Sequence, residues 1–112
     1  MIYKKWDIVL IPFPFTDFSI LKKRPGLIIS PDEFNKEGRD LIITFLTSKM
    51  NTSKRIGDYK LKEWKKSNLP KPTMSRMKFA TISANIVVKN IGRLQKNDIT
   101  GFKDEFRSFF KF

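Results

Sequence analysis

Short apolar runs, each followed by a proline or a polar stretch, constrain this chain more than any other feature. Residues 6–12 are rich in Ile and Val and run into Pro12 and Pro14. Residues 24–30 and 41–47 repeat the pattern, the latter as Leu41-Ile42-Ile43-Thr44-Phe45-Leu46-Thr47. Runs of this length with β-branched residues read as strands, and the first, lacking polar alternation, reads as covered on both faces. Proline cannot donate to a ladder, so Pro12 and Pro14 are expected to end the first strand. Residues 16–23 and 48–56 then read as loops. The second of these carries Lys49, Lys54 and Arg55 with no acid and is expected to be exposed and mobile. Ser30-Pro31-Asp32 reads as a turn or a helix start.

The second half continues the pattern. Tyr59 to Leu61 predicts a short strand. Leu61, Trp64, Asn68 and Leu69 are spaced like one or two helical turns, stopped by Pro70 and Pro72. Thr73 to Ala80 and Ile86 to Leu94 predict two further strands. Ile99, Phe102, Phe106, Phe109 and Phe110 fall on one helical stripe, with Asn97 or Asp98 as the expected N-cap. Five to seven short strands and one C-terminal amphipathic helix predict a mainly β (α+β) fold, a small SH3-like β-barrel. The aromatic stripe is expected to be core, and any exposed part of it a dimer contact. With 112 residues, no repeat and no linker, residues 1–112 are expected to form a single domain with a real core.

Composition narrows the chemistry. The chain has no Cys and no His. That excludes disulfides, cysteine nucleophiles, zinc-thiolate sites and Ser-His-Asp triads, and it removes the commonest general base. No metal and no cofactor are expected. The formal charge is +12, and Lys54 to Lys78 holds nine Lys or Arg against two acids. Such an excess favours a polyanionic partner or keeps a surface solvated. No run approaches the roughly 20 apolar residues that span a bilayer, and residues 1–7 lack the apolar centre of a signal peptide. A cytoplasmic protein without a membrane partner is the expectation.

Arg24-Pro25 opens the second predicted strand. Pro25 biases Arg24 towards extended backbone, which presents a planar, permanently charged fork suited to phosphate. Thr47-Ser48 closes the third predicted strand with two hydroxyls beside a basic loop. If the two strands pair antiparallel, Arg24 and Thr47 converge on one point. Taken singly, a strand-entry Arg is usually a surface charge, and a strand-end Thr is commonplace.

Several blocks together resemble the MazF/PemK family of bacterial toxins. Trp6-Asp7-Ile8-Val9 is similar to the family's "G-D-I-V", with Trp6 in place of Gly. Arg24-Pro25-Gly26-Leu27-Ile28-Ile29-Ser30 is similar to "R-P-x" followed by three hydrophobic residues and Ser. Phe45-Leu46-Thr47-Ser48-Lys49 resembles the strand-end Thr/Ser motif. Leu69-Pro70-Lys71-Pro72-Thr73, Ala80-Thr81-Ile82 and Ile91-Gly92-Arg93-Leu94 resemble three later blocks in the same order. The resemblance implies a CcdB/MazF-type barrel and a toxin of a type II toxin–antitoxin system. The implied activity is metal-independent endoribonuclease cleavage of single-stranded RNA, with the substrate's 2′-OH as nucleophile. It further implies catalytic roles for Arg24 and Thr47, a homodimer, and an acidic antitoxin that folds across the basic surface.

The general base is left open. Some members carry an Arg and an acid two apart before "T-I", but Thr73 to Ala80 holds Arg76 and no carboxylate. The aspartate of "T-I-D" is replaced by Ser83, and an Arg often seen before that Thr is Ala80. Asp17 is the candidate base, or else a turn cap. Ser48 and Arg76 are candidate phosphate contacts. Lys22, Lys23, Lys49, Lys54 and Arg55 are candidate RNA contacts, and Phe18 a candidate stacking face, with Phe15 and Trp64 as further aromatics. The missing carboxylates keep two rivals in play: a non-catalytic CcdB-like toxin that binds DNA gyrase, and a barrel that binds RNA without cleaving it.

Overall fold

The computed structural model describes residues 2–13, 22–50 and 54–112. Six strands, β1 (Asp7–Phe13), β2 (Lys22–Ile28), β3 (Asp40–Thr47), β4 (Tyr59–Lys60), β5 (Met74–Ser83) and β6 (Lys89–Arg93), form one sheet in the order β4-β5-β3-β2-β1-β6. Every pairing is antiparallel. The short helix α1 (Asp32–Asn35) links β2 to β3, and α2 (Lys96–Phe110) follows β6. The curled sheet with its C-terminal helix is the barrel-like fold expected from the strand count. Among the described residues no helix is long and apolar enough to cross a membrane.

The apolar runs lack alternation because both faces of the central strands are covered. Ile8 and Leu27 join Leu46, Leu61, Leu69, Leu94 and Phe102 of α2 in one core cluster. Their neighbours Val9 and Ile28 join Ile11, Leu41, Ile43 and Ile82 in a second. Successive strand residues point to opposite faces, so adjacent residues serve different cores.

Several boundaries differ from expectation. β1 does not stop at Pro12: it continues to Phe13, pairing Pro12 with Lys23 and Phe13 with Lys22. The β1–β6 ladder ends at Leu10, so Pro12 sits where β1 has one neighbour, the edge setting proline tolerates. In consequence Lys22 and Lys23 belong to β2, not to a loop, and Arg24 is its third residue rather than its first. The segment before Pro70 makes one irregular turn, with Ser67 N–H donating to Glu63 O at 3.1 Å. Asn68, at φ 65°, ends it in left-handed backbone. Ala84–Ile86 is a 3₁₀ turn, so β6 starts only at Lys89.

The α2 cap also departs from expectation. The helix starts at Lys96 after Gln95, so Asn97 and Asp98 lie inside its first turn. Asp98 is fully buried and accepts from Tyr59 Oη (2.7 Å), Lys62 N (2.8 Å) and Glu63 N (2.9 Å). It fastens α2 to the segment after β4 instead of capping its own helix. The aromatic stripe divides as well. Phe102 is buried, while Phe109 and Phe110 are 39% and 40% exposed.

Candidate functional site

The β2–β3 ladder pairs Gly26 with Phe45, Leu27 with Thr44 and Ile28 with Ile43. Continued two residues outward, that register sets Arg24 across from Thr47. Both residues line two adjoining cavities, which therefore form one furrow across the pair. The first, about 320 Å³, is walled by Arg24, Lys49, Arg55, Arg76 and Lys78 around Phe45, Leu46 and Thr47. The second, about 240 Å³, adds Lys23, Ser48, Lys71, Leu69, Pro70 and Thr73. Among the described residues, every charged side chain lining the two is a cation. Low-dielectric walls with one sign of charge focus the field and concentrate anions.

The hydroxyl of Thr47 accepts from Lys49 N at 3.1 Å. That uses an oxygen lone pair and leaves the O–H to donate into the furrow. Arg24 is half-buried in β2, fixed by the β1 pairing of Ile11 with Arg24.

A bulge aims the opposite wall. β3 and β5 pair Thr44 with Phe79 and Leu46 with Ser75. One residue of β3 thus faces three of β5, Arg76, Met77 and Lys78. Thr44, fully buried, donates its hydroxyl to the carbonyl oxygens of Arg76 and Lys78, which holds the excess chain in place. Bulges of this kind re-aim side chains. Here Arg76 and Lys78 line the furrow, while Phe79 packs on Phe106 and Phe110 of α2.

The fold thus brings Lys23, Arg24, Thr47, Ser48, Lys49, Arg55 and Arg76 to one furrow. Lys22 and Lys54 are exposed but line neither cavity. Arg76 is no surface cation: its side chain is 11% exposed and stands 3.7 Å from Asp58 Oδ2. Trp64 packs partly buried against the core cluster that includes Phe102 and lines neither cavity. Asp17, Phe18 and Phe15 lie outside the described residues. Three contributors went unnoticed in the sequence: Lys71, Lys78 and the buried Asp58. The Leu69–Thr73 block held a signal, since it forms a wall of the second cavity. Asp58 had only its rarity as an acid within a basic stretch. Among the described residues no three His, Cys, Asp or Glu side chains gather as a metal site would require.

The family of PemK-like, MazF-like toxins of type II toxin–antitoxin systems matches residues 4–110. The chain belongs to this family. The resemblance carried by its opening and Leu-Pro-Lys-Pro blocks is therefore borne out. No curated relative matches this MazF-like chain by sequence. Among solved structures it is similar to a mycobacterial endoribonuclease in complex with its cognate antitoxin, with TM-score 0.77 and 10% identity over 97% of this chain and 95% of that one. It is also similar to the Mycobacterium tuberculosis toxin MazF-mt6, with TM-score 0.74 and 14% identity over 94% and 96%. A MazE–MazF structure from Deinococcus radiodurans matches with TM-score 0.76 and 12% identity over 99% and 98%. At these identities the likeness establishes the fold of this MazF-like toxin.

Proposed function

We propose that this MazF-like toxin is a metal-independent endoribonuclease that cleaves single-stranded RNA in the furrow between β2, β3 and β5. The observation that carries the reading is the placement of Arg24 across from Thr47 in a furrow whose charged lining, among the described residues, is cationic. A single strand threaded there would lay consecutive phosphates along Lys71 and Lys23, then Arg24, then Arg76, Lys78 and Arg55. In the reaction the substrate's 2′-oxygen attacks the adjacent phosphorus and the P–O5′ bond breaks. The products are a 2′,3′-cyclic phosphate and a 5′-OH. The proton leaves the 2′-hydroxyl, and another reaches the departing 5′-oxygen.

Arg24 stabilises charge that builds on the non-bridging oxygens, and Thr47 donates to the same phosphate. Preorganised donors at developing charge are usually the largest catalytic contribution, at about 10²- to 10³-fold per donor. Phe45, on the furrow floor, offers a face for a base. Endoribonuclease and antitoxin complex are named for structures that share this fold. The partners proposed here are accordingly a second copy of the toxin, with the exposed Phe109 and Phe110 as a contact, and an acidic antitoxin drawn to the basic furrow.

The deciding experiment is incubation of the purified toxin with long single-stranded RNA in EDTA, beside Arg24→Ala. Sequence-selective fragments ending in cyclic phosphate, absent with the variant, support the reading. Intact RNA from the folded, antitoxin-free protein would overturn it and make a gyrase-binding or RNA-binding toxin the reading to pursue.

A further inference from the structure

We infer that Asp58 is a positioning residue of the furrow, holding the Arg76 guanidinium and the turn that carries Arg55 on one wall. The kinetic arm of this inference rests on the ribonuclease reading above; its structural arm does not. Asp58 is 2% exposed and lines neither cavity, so it has no access to a substrate hydroxyl and acts only through its neighbours. Its Oδ2 accepts from Arg55 N at 2.8 Å and stands 3.7 Å from Arg76 Nη2. Its own N–H returns to Arg55 O at 3.0 Å, closing the turn. Gly57, within that turn at φ +92°, lies so close to Met77 and Phe109 that any side chain there would overlap them. The turn is pressed against β5 and α2, and one carboxylate spans it and the strand.

Asp58 Oδ1 is buried and makes no hydrogen bond among the described residues. A buried carboxylate with an idle oxygen is a poor stabiliser, because such ion pairs often contribute less than the apolar residues they displace. What this one provides is direction. An arginine side chain without an anchor spreads over many rotamers, and Arg76 must meet a phosphate from a fixed side. The carboxylate also opposes phosphate attraction, since it lowers the positive potential of the wall. Its removal should therefore loosen Arg76 without weakening RNA binding. The expected pattern is therefore a lower kcat without a higher KM, a split that general damage to the fold would not give.

The test is Asp58→Asn, which keeps the acceptor for Arg55 N and removes the charge. It is read by kcat and KM on RNA, by the Nε–H NMR signal of Arg76, and by thermal unfolding. The expected result is a displaced, faster-exchanging Arg76 signal and a kcat about 10- to 100-fold lower, with KM unchanged or lower. Arg76→Gln with Asp58→Asn should be no slower than Arg76→Gln alone, because the asparagine still accepts from Arg55 N and no guanidinium remains for Asp58 to position. Should the single variant fail to fold, this double variant, free of either buried charge, is the comparison. An unmoved Arg76 signal, a wild-type kcat, or additive losses in the double variant would overturn the inference. If the wild-type toxin leaves RNA intact, the ribonuclease reading fails by itself. The Arg76 signal and the affinity for a non-cleavable 2′-deoxy oligonucleotide still decide the role of Asp58.

Discussion

The Tyr59 hydroxyl donates to the Asp98 carboxylate at 2.7 Å, across 39 positions of sequence, and ties the first turn of α2 to β4. β4 begins one residue after Asp58, so this bond also steadies the turn behind the furrow. Burial first, and then the Asp98 carboxylate, push the Tyr59 phenol well above its usual range.

Tyr59→Phe should destabilise the toxin by about 1–3 kcal/mol, since it strips a donor from a buried carboxylate. The raised phenol predicts a pH dependence with a definite sign. The contribution is complete below the unfolded phenol's pKa of about 10 and is lost as pH rises beyond it towards the folded value. Denaturant melts from pH 8 to 11 should show wild-type stability falling at the alkaline end. The Tyr59→Phe variant should lack that component.

Gly101→Ala separates helix propensity from packing. Alanine in a helix interior gains about 1 kcal/mol over glycine. Here the new methyl group would overlap the Tyr59 ring and hydroxyl, which the Asp98 bond holds in place. We expect a net loss of about 1–3 kcal/mol, the range for overpacking, measured as a lowered denaturation midpoint. A more stable variant would show that the ring is free to move.

Thr44→Val removes the hydroxyl that holds the β5 bulge while keeping the shape of the side chain. The carbonyl oxygens of Arg76 and Lys78 then lose their shared donor, at about 1–3 kcal/mol. The protein should still fold, with RNA cleavage falling further than its small stability loss explains. Circular dichroism and cleavage rates on one preparation check both halves.

Thr47→Ser and Thr47→Val differ in whether a hydroxyl remains to meet the phosphate. Cleavage by the serine variant should stay within a few-fold of wild type, and the valine variant should lose about 10²-fold or more, as for loss of an oxyanion donor. Equal activity in the two would remove Thr47 from the proposed chemistry.

Lys71→Ala and Lys78→Ala sit at opposite ends of the furrow. If RNA runs its length, each should lower the dependence of log K on log[salt] by about 0.7, the single-strand value per phosphate contact. A change confined to one of them would shorten the proposed path to that side of Arg24.

Much of the fold was legible, because Val- and Ile-rich runs and the Phe stripe depend on local pattern. The meeting of Arg24 with Thr47 was legible too, since antiparallel neighbours bring strand start to strand end. What stayed hidden depended on partners far away in sequence. Whether Pro12 ends a strand depends on where β6 stops pairing. Whether Asp98 caps its helix depends on Tyr59, Lys62 and Glu63. The aim of Arg76 and Lys78 depends on a register slip that Thr44 secures from another strand. A search for an acid near Arg76 along its own strand finds none, because Asp58 arrives through space.

The bulge in β5 carries two residues beyond what β3 requires, and that even number governs which length changes the strand can absorb. Side chains alternate between faces, so an even excess leaves both ends of the strand in step. Loss of Met77 alone would put the strand out of step, turning basic groups towards α2 and an aromatic ring towards the furrow. Loss of two residues would restore the phase and shorten only the wall. Insertions and deletions at this point of the chain are thus expected to survive in pairs.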